Sequence, residues 1–306
     1  MSPDIAASVR ARLLNQAKLS GEEFERTLAR FAAERLLYRL GQSGARDRCV
    51  LKGASLLGVW LPNPYRATRD VDVLSSGSDD EASVRELIAD ICKQQCPEDG
   101  LQFDLGTFRI ADIRAETEHV GKRVTLIAYL AKAKIRVQVD LGFGDAVAAP
   151  MEEITYPTML DDLPAPHLRA YPREASVAEK FEAMVTLDRR NSRMKDFHDM
   201  WALSTAFAFD GSRLRAAIAA CFDRRRTVWT PDTPGALTND FYVDADLEQR
   251  WTRYLAAGGV IIAPPGRFET LGVHIMMFLA PVRNAIVDGV PFGAQWPAGG
   301  PWELAA

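Results

Sequence analysis

Two aspartates spaced two residues apart give the clearest chemical signal in the sequence. They are Asp70 and Asp72, within the segment Arg66–Val73. Side chains alternate across a β-strand, so both carboxylates and Thr68 project from one face, while the intervening valine projects from the other. Two neighbouring carboxylates repel each other unless a cation lies between them, and a set of oxygen ligands suits Mg²⁺. The alternative interpretation is a polar strand face exposed to solvent. Two aspartates separated by one residue also occur often by chance, so the spacing alone does not decide between the two.

A glycine turn upstream of the aspartates favours the first interpretation. Cys49–Leu51 is a short apolar run, Gly53 follows it closely, and Ala54–Trp60 could begin a helix. At such a turn between strand and helix the backbone can approach a phosphate group, and the helix N-terminus favours negative charge. Gly53 and Ser55 are therefore candidate nucleotide-binding residues, although glycine turns by themselves are common.

A third carboxylate, Asp140, lies in the alternating segment Ile135–Leu141. The odd positions of this segment are apolar and the even positions are polar, so Asp140 projects from the polar face of a strand that we expect to lie beside the first. Three carboxylates on adjacent strands could bind two Mg²⁺ ions, one activating an acceptor hydroxyl and one neutralising a triphosphate. Taken alone, Asp140 is interpreted equally well as an ordinary aspartate at the end of a strand.

Two predicted helices later in the chain carry further charged candidates. Lys180 flanks an apolar stripe and could reach a cleft as a cation for phosphate groups, or lie at a solvated edge. Asp196 and Asp199 share a helix face by their spacing of three, and the alternative is a surface pair between Lys195 and Asp199. A single histidine on a helix, here His198, is more often structural, so we assign it no role.

The charge balance restricts where nucleic acid could bind. The chain has 306 residues, 47% of them hydrophobic, and a formal net charge of -4. It can therefore bury a sizeable core, but it has no overall positive charge for a polyanion. An RNA site must be a local basic patch, unless the basic clusters are ordinary solvated faces. The candidates are Arg189, Arg190 and Arg193, and the cluster Arg224–Arg226.

Other features of the composition indicate a reduced cytoplasmic protein. The four cysteines have the spacing of neither a zinc site nor a disulfide scaffold. The first residues contain no apolar core of signal-peptide length, and the apolar stretch Gly258–Pro264 is too short to span a bilayer. We therefore expect neither export nor membrane insertion.

Hydrophobic periodicity and turn signals predict the elements that must position these residues. A capping box at Ser20 and Glu23 predicts the start of the first helix, and residues 123–143 would fold into a hairpin near Lys132–Lys134. The pattern then gives an α/β core over residues 1–150 and a mainly helical domain over residues 151–306. The predicted elements are, in order, helix 21–40, strand 67–74, helix 80–95, strands 101–113 and 123–143, and helices 175–190 and 192–207.

Five motifs, taken in order, resemble those of the AbiEii-type nucleotidyltransferase toxins, which include mycobacterial tRNA-modifying toxins. The motifs are LKGAS, RATRDVDVL, VQVDLG, EKFEAM and KDFHDMW, and they span residues 48 to about 203. The resemblance implies a polymerase-β-like core with a mixed sheet and a helical C-terminal domain. It also implies transfer of NMP from an NTP to a nucleic-acid acceptor such as the tRNA 3′ end, with Mg²⁺, and a co-encoded antitoxin that restrains the toxicity.

The resemblance also implies roles for individual residues. Asp70 and Asp72 match the metal-binding aspartates, and Thr68 matches a position that is phosphorylated or contacts substrate. Lys180 matches the phosphate-contacting lysine, and Asp199, preferred over Asp196, matches the late catalytic aspartate.

The sequence departs from the family pattern at Ala54, where relatives often have a second glycine. A methyl group there could narrow the approach of the backbone to phosphate. Two other functions would use the same residues. One is nucleotidyl or phosphoryl transfer to a protein such as the antitoxin, and the other is nucleotide binding without turnover.

Overall fold

The computed structural model describes residues 4–61, 70–114, 120–144, 150–257 and 263–304. The chain divides into two compact units, with the main boundary between Tyr171 and Pro172. Thr68 and the first residues of the predicted strand 67–74 lie outside the described residues.

The first unit combines helices with a mixed sheet. Its strands β6 and β7 follow residue 150 and still join this sheet. Its helices are α1 (Ile5–Ser20), α2 (Phe24–Gln42), α3 (Leu57–Trp60) and α4 (Glu81–Lys93), and its strands are β1 (Cys49–Lys52), β2 (Asp70–Ser75), β3 (Leu101–Arg114), β4 (Val120–Leu130), β5 (Ala133–Phe143), β6 (Glu152–Thr155) and β7 (His167–Ala170).

The sheet places β2 in its centre. Within the described residues it has seven strands in the order β3-β4-β5-β2-β1-β7-β6. Strand β2 pairs in parallel with β5 and antiparallel with β1, while β1 pairs in parallel with β7. The predicted α/β core with a mixed sheet is therefore confirmed. The predicted hairpin is also present, as the antiparallel pair of β4 and β5.

Alternating burial explains the orientation of β2. Val71 and Val73 are 1% and 2% exposed, whereas Asp70 and Asp72 are only half-buried. One face of the strand therefore joins the hydrophobic core and the other carries the carboxylates. Strand β5 alternates in the same way, with Val137 and Val139 in the core.

The predicted capping box at Ser20 is wrong. Ser20 is the last residue of α1, and Gly21 ends that helix in a left-handed conformation at φ 69°, with its N–H donating to the carbonyl of Ala17. Helix α2 begins only at Phe24, and its N-cap Glu23 makes no side-chain capping bond. The glycine ends a first helix that the sequence analysis missed, because glycine adopts this C-terminal geometry without the steric cost of a Cβ.

The second unit is mainly helical, which confirms the predicted helical C-terminal part. Two short strands pair antiparallel within it. Its elements are α5 (Arg173–Leu187), α6 (Met194–Ala206), β8 (Phe209–Asp210), α7 (Gly211–Arg224), α8 (Asn239–Tyr242), α9 (Ala245–Ala256), α10 (Phe268–Val287) and β9 (Gln295–Trp296).

Helix α10 is the most apolar long helix in the described part of the chain. By length and composition it could cross a membrane. Its side chains Leu271, Ile275 and Phe278 are nonetheless fully buried within the second unit, as in the core helix of a globular domain. Helix α10 was not among the elements predicted from the sequence, and most of the apolar stretch Gly258–Pro264 lies outside the described residues.

Replacing Gly272 by alanine should destabilise the second unit. A Cβ at this position of α10 would lie 2.5 Å from Cδ2 of the fully buried Tyr242, so the ring would have to move. Overpacking of this kind costs about 1–3 kcal/mol. Denaturant unfolding measures the effect, and Gly266→Ala is the control because its Cβ would meet nothing within 4 Å. Equal unfolding midpoints for the two variants would contradict the packing described.

Candidate active site

Four charged side chains lie in one row across the central strands of the first unit. Strand pairing places Lys52 beside Asp72, Asp72 beside Asp140, and Asp140 beside Arg123. Partners in register project from the same face of a sheet, so the row reads cation, carboxylate, carboxylate, cation. Asp140 thus lies directly beside Asp72, as the alternation in its strand predicts.

The glycine turn packs against one of the two aspartates. Gly53 adopts a left-handed conformation at φ 68°, and a Cβ there would lie 2.7 Å from Cγ of Asp72. Only glycine therefore fits without displacing this carboxylate. The hydroxyl of Ser55 donates to the main-chain carbonyl of Asp70 at 3.3 Å, which ties the turn to the start of β2. The two motifs, separate in the sequence, form one structural element.

Asp140 forms an ion pair with Arg123. Nε and Nη2 of Arg123 donate to Oδ1 and Oδ2 of Asp140 at 2.9 and 2.7 Å, and Gln138 donates to Oδ1 at 3.3 Å. These hydrogen bonds raise the pKa of Arg123 against the opposing effect of desolvation, and the nearby carboxylates raise it further. We expected Asp140 as a third metal ligand, whereas in the structure both of its oxygens accept from Arg123.

The chemistry of the two carboxylates on β2 fits a magnesium ion. Among the residues that the structure describes, no group of three or more His, Cys, Asp or Glu side chains is arranged to hold a metal. Mg²⁺ is usually bound through only one or two carboxylates, together with phosphate oxygens of the substrate and water. Asp70 and Asp72, which share one face of β2, provide such a donor set.

Sequence reasoning gave no role to two cations of this row, Lys52 and Arg123. Lys52 Nζ lies 5.8 Å from the ring centroid of Tyr171 and close to Gly142 of β5, where a Cβ would be 3.5 Å from Nζ. The position of Lys52 immediately before the glycine turn was a usable signal. Arg123 could be found only from the register of the β4–β5 hairpin.

The second unit contains a buried ion cluster. Lys180 Nζ lies 3.2 Å from Oδ1 of Asp196 and 2.7 Å from Oδ2 of Asp199. The lysine side chain is 11% exposed and the two carboxylates are 1% and 0% exposed. Nε of Arg193 also lies 2.6 Å from Asp196 Oδ2. Lys180 is therefore not a solvated edge residue. The alternative surface pair of Lys195 and Asp199 is excluded as well, because Asp199 is buried.

The basic clusters are partly engaged within the second unit. Arg189 forms an ion pair with Asp244, and Arg193 pairs with Asp196 as described above. Arg190 is exposed. The cluster Arg224–Arg226 lies beside acidic residues of α5, since Arg225 pairs at 2.5 Å with the buried Glu182 and both Arg224 and Arg225 pair with Glu179. That cluster stabilises the helical unit internally and is not a simple basic surface.

His198 is a buried residue of α6. Its Nδ1 lies 2.8 Å from the hydroxyl of Tyr254, and its ring stacks on Trp201. This agrees with leaving it without a catalytic role.

A family model matches most of the chain. The model is described as nucleotidyl transferase AbiEii toxin, type IV TA system, and it matches residues 35–266. The match includes the aspartates of β2 and the ion cluster of the second unit. No curated protein matches the chain.

Two solved structures from Helicobacter pylori are similar to the chain. JHP933 is 13% identical, with 91% of this chain and 94% of JHP933 covered at a TM-score of 0.47. A candidate nucleotidyltransferase from H. pylori is 12% identical, with 84% of this chain and 94% of that protein covered at a TM-score of 0.45. Structural similarity this low supports no functional inference. The function is therefore argued from the family match and from the side chains described above.

Replacing Lys180 by alanine should destabilise the second unit by about 3–5 kcal/mol, because two buried carboxylates lose their shared counter-ion. Denaturant unfolding followed by circular dichroism measures this. Lys195→Ala is the control, since Lys195 is an exposed lysine in the first turn of α6, and it should change stability by less than about 0.5 kcal/mol. Similar unfolding midpoints for the two variants would show that the cluster contributes nothing to stability.

Proposed function

Because the chain belongs to the AbiEii nucleotidyltransferase toxin family of type IV toxin–antitoxin systems, we propose that it transfers NMP from an NTP to the 3′ end of tRNA. Nucleotidyl transfer and a cognate antitoxin follow from the family itself. The observation that carries the choice of reacting centre is the close packing of the Gly53 turn against Asp72. A phosphate-binding turn and a pair of metal-binding carboxylates would then act at one place.

In the proposed reaction the acceptor hydroxyl attacks the α-phosphorus of the NTP. A new P–O bond forms and the hydroxyl proton passes to solvent. The bond from the α-phosphorus to the bridging oxygen breaks, its electron pair stays on that oxygen, and pyrophosphate leaves. Asp70 and Asp72 would hold Mg²⁺, which neutralises triphosphate charge when it is bound. The turn of Gly53 and Ser55 would orient the triphosphate through its main-chain N–H groups.

The two cations at the ends of the row, Lys52 and Arg123, support the proposed roles of the carboxylates and the turn. Arg123 holds Asp140 through two hydrogen bonds, so the repulsion between Asp140 and its neighbour Asp72 is partly compensated before any ligand binds. Lys52, the partner of Asp72 on β1, adds positive charge on the face where we expect the phosphates. We therefore propose Lys52 as an additional phosphate-binding residue and Arg123 as a positioning residue.

For the second unit, we propose that Lys180 contacts phosphate, as its match to the family motif implies. Asp199 is its closer partner, at 2.7 Å against 3.2 Å for Asp196. This difference favours Asp199 over Asp196 as the match to the late aspartate of the family motif. Because Asp199 is fully buried, its role would be to hold the ammonium group of Lys180 rather than to contact substrate. Thr68 remains a proposed substrate contact from the family motif alone.

The experiment that tests the proposed function uses the whole protein with total cellular RNA, Mg²⁺ and each labelled NTP in turn. Extended tRNA 3′ ends, read by sequencing, are the expected result. With the antitoxin added to the same reaction, label found only on the antitoxin would favour the protein-acceptor alternative. A failure to release pyrophosphate with any NTP would favour nucleotide binding without turnover.

Asp70→Ala or Asp72→Ala should lower nucleotidyl transfer by roughly a hundredfold or more, since several kcal/mol of charge stabilisation are lost. The fold should persist, because removing one of two facing carboxylates relieves repulsion. Asp112→Ala is the control, an exposed carboxylate on β3 of the same sheet. Pyrophosphate release and thermal unfolding are measured together, and near wild-type release by either site variant would refute the site.

Gly53→Ala should strongly reduce turnover, and it should also lower stability because alanine is strained in the left-handed conformation at φ 68°. The added methyl group would displace the Asp72 carboxylate, and a misplacement of about 1 Å can cost roughly a hundredfold in rate. Gly21→Ala is the matched control, since Gly21 has the same left-handed conformation at φ 69° and its Cβ would meet nothing within 4 Å. The measurements are kcat/KM and the unfolding midpoint. Equal kcat/KM for the two variants would separate the glycine turn from the reacting centre.

A further inference from the structure

A cleft in the second unit concentrates positive charge in this acidic protein. Its volume is about 460 Å³, and it lies between the start of α6 and one face of α9. Among the described residues that line it, every charged side chain is a cation. These residues are Arg193, Lys195, Arg250 and Arg253. A concave surface with one sign of charge attracts polyanions.

The cleft is held in shape by main-chain contacts. Nη1 of Arg250 donates to the carbonyls of Arg189 and Asn191 at 3.2 and 3.1 Å. Helix α9 is thereby fixed to the segment that leads into α6. Arg253 lies one turn further along α9, on the same face as Arg250, and both Arg253 and Lys195 are exposed. Arg250 thus fixes the position of α9, and the exposed cations Arg253 and Lys195 can contact a ligand.

An aromatic ring lies beside these cations. Tyr254 lines the cleft, its hydroxyl lies 2.8 Å from Nδ1 of the buried His198, and its ring centroid is 5.4 Å from that of Trp251. The ring is therefore fixed in place before any ligand binds. Cations together with an immobilised aromatic face are the combination that binds single-stranded nucleic acid, through phosphate contacts and base stacking.

A line of ion pairs connects the cleft to the buried cluster. Arg193 lines the cleft and pairs with Asp196, and Asp196 also pairs with Lys180. A phosphate bound by Arg193 would compete with Asp196 for the guanidinium group. Occupation of the cleft is thereby coupled electrostatically to Lys180.

We propose that this cleft binds the phosphate backbone of the acceptor RNA, with Lys195 and Arg253 as phosphate contacts and Tyr254 as a stacking surface. The inference rests on the proposed transfer to a nucleic-acid acceptor. It also shifts the RNA-binding surface from the expected patch of Arg189, Arg190 and Arg193. Of these three, only Arg193 lines the cleft, and Arg189 is paired with Asp244.

The charge test compares Lys195→Glu/Arg253→Glu with Lys132→Glu/Lys134→Glu. The control changes net charge equally, at exposed lysines on the β4–β5 hairpin. Affinity for total tRNA is measured over a salt series without NTP. The cleft variant should lose about tenfold or more in affinity at low salt, and its salt slope should fall by about 0.7–0.9 for each lost phosphate contact. The control should retain the slope of the parent protein.

The stacking test compares two substitutions of Tyr254. Tyr254→Leu removes the ring and should lower tRNA affinity by about tenfold with an unchanged salt slope, because stacking carries no charge. Tyr254→Phe keeps the ring and should bind tRNA as the parent protein does. Loss of affinity in both variants would assign the effect to the hydroxyl contact with His198 and overturn the stacking role.

The remaining outcomes separate this inference from the proposed function. If the parent protein extends tRNA but the Lys195/Arg253 variant keeps full affinity and slope, the cleft inference is wrong and the proposed function stands. If the cleft variant loses NTP affinity in parallel with tRNA affinity, the cleft binds a triphosphate and the inference is overturned. If the parent protein neither binds nor extends tRNA, the proposed function fails, and the inference that depends on it fails with it.

Discussion

The first unit depends on the parallel pairing of β2 with β5, which places the carboxylates of Asp72 and Asp140 side by side. Two like charges at adjacent register positions oppose each other. The sheet compensates this by placing a cation at each end of the row, with Arg123 bound to Asp140 through two hydrogen bonds. The result is a row of two carboxylates and two cations with no net charge.

The second unit also places two carboxylates close together, and it balances their charge with a buried lysine. Lys180 and its two aspartates are almost fully withdrawn from solvent, where each charge costs free energy unless it is paired. The lysine is thereby fixed in one position, and its positive charge is largely compensated. Any phosphate that it contacts must compete with two carboxylates, so such a contact would depend on further cations. Arg193, which shares Asp196, is suited to that role.

How much the sequence could predict depended on the range of the interaction. Alternation within β2 and β5 is local, and it correctly oriented Asp70, Asp72 and Asp140. The pairing of Asp140 with Arg123 depends on hairpin register, which no favoured turn residue marked. Burial of Lys180 depends on packing between α5 and α6, so its position at the edge of an apolar stripe was ambiguous. At Ser20 two local signals competed, and the helix-ending Gly21 prevailed over the capping box.

The parallel pairing of β2 with β5 also has a kinetic side. The antiparallel strands β3, β4 and β5 are close in sequence and can pair early. Strand β2 can pair with β5 only after β3, β4 and β5 have all been made. Closing so long a loop is slow, because its entropy is lost before the contacts form. A nascent chain that ends before β5 would therefore carry Asp70 and Asp72 on a strand that can pair with β1 but lacks the parallel neighbour that carries Asp140.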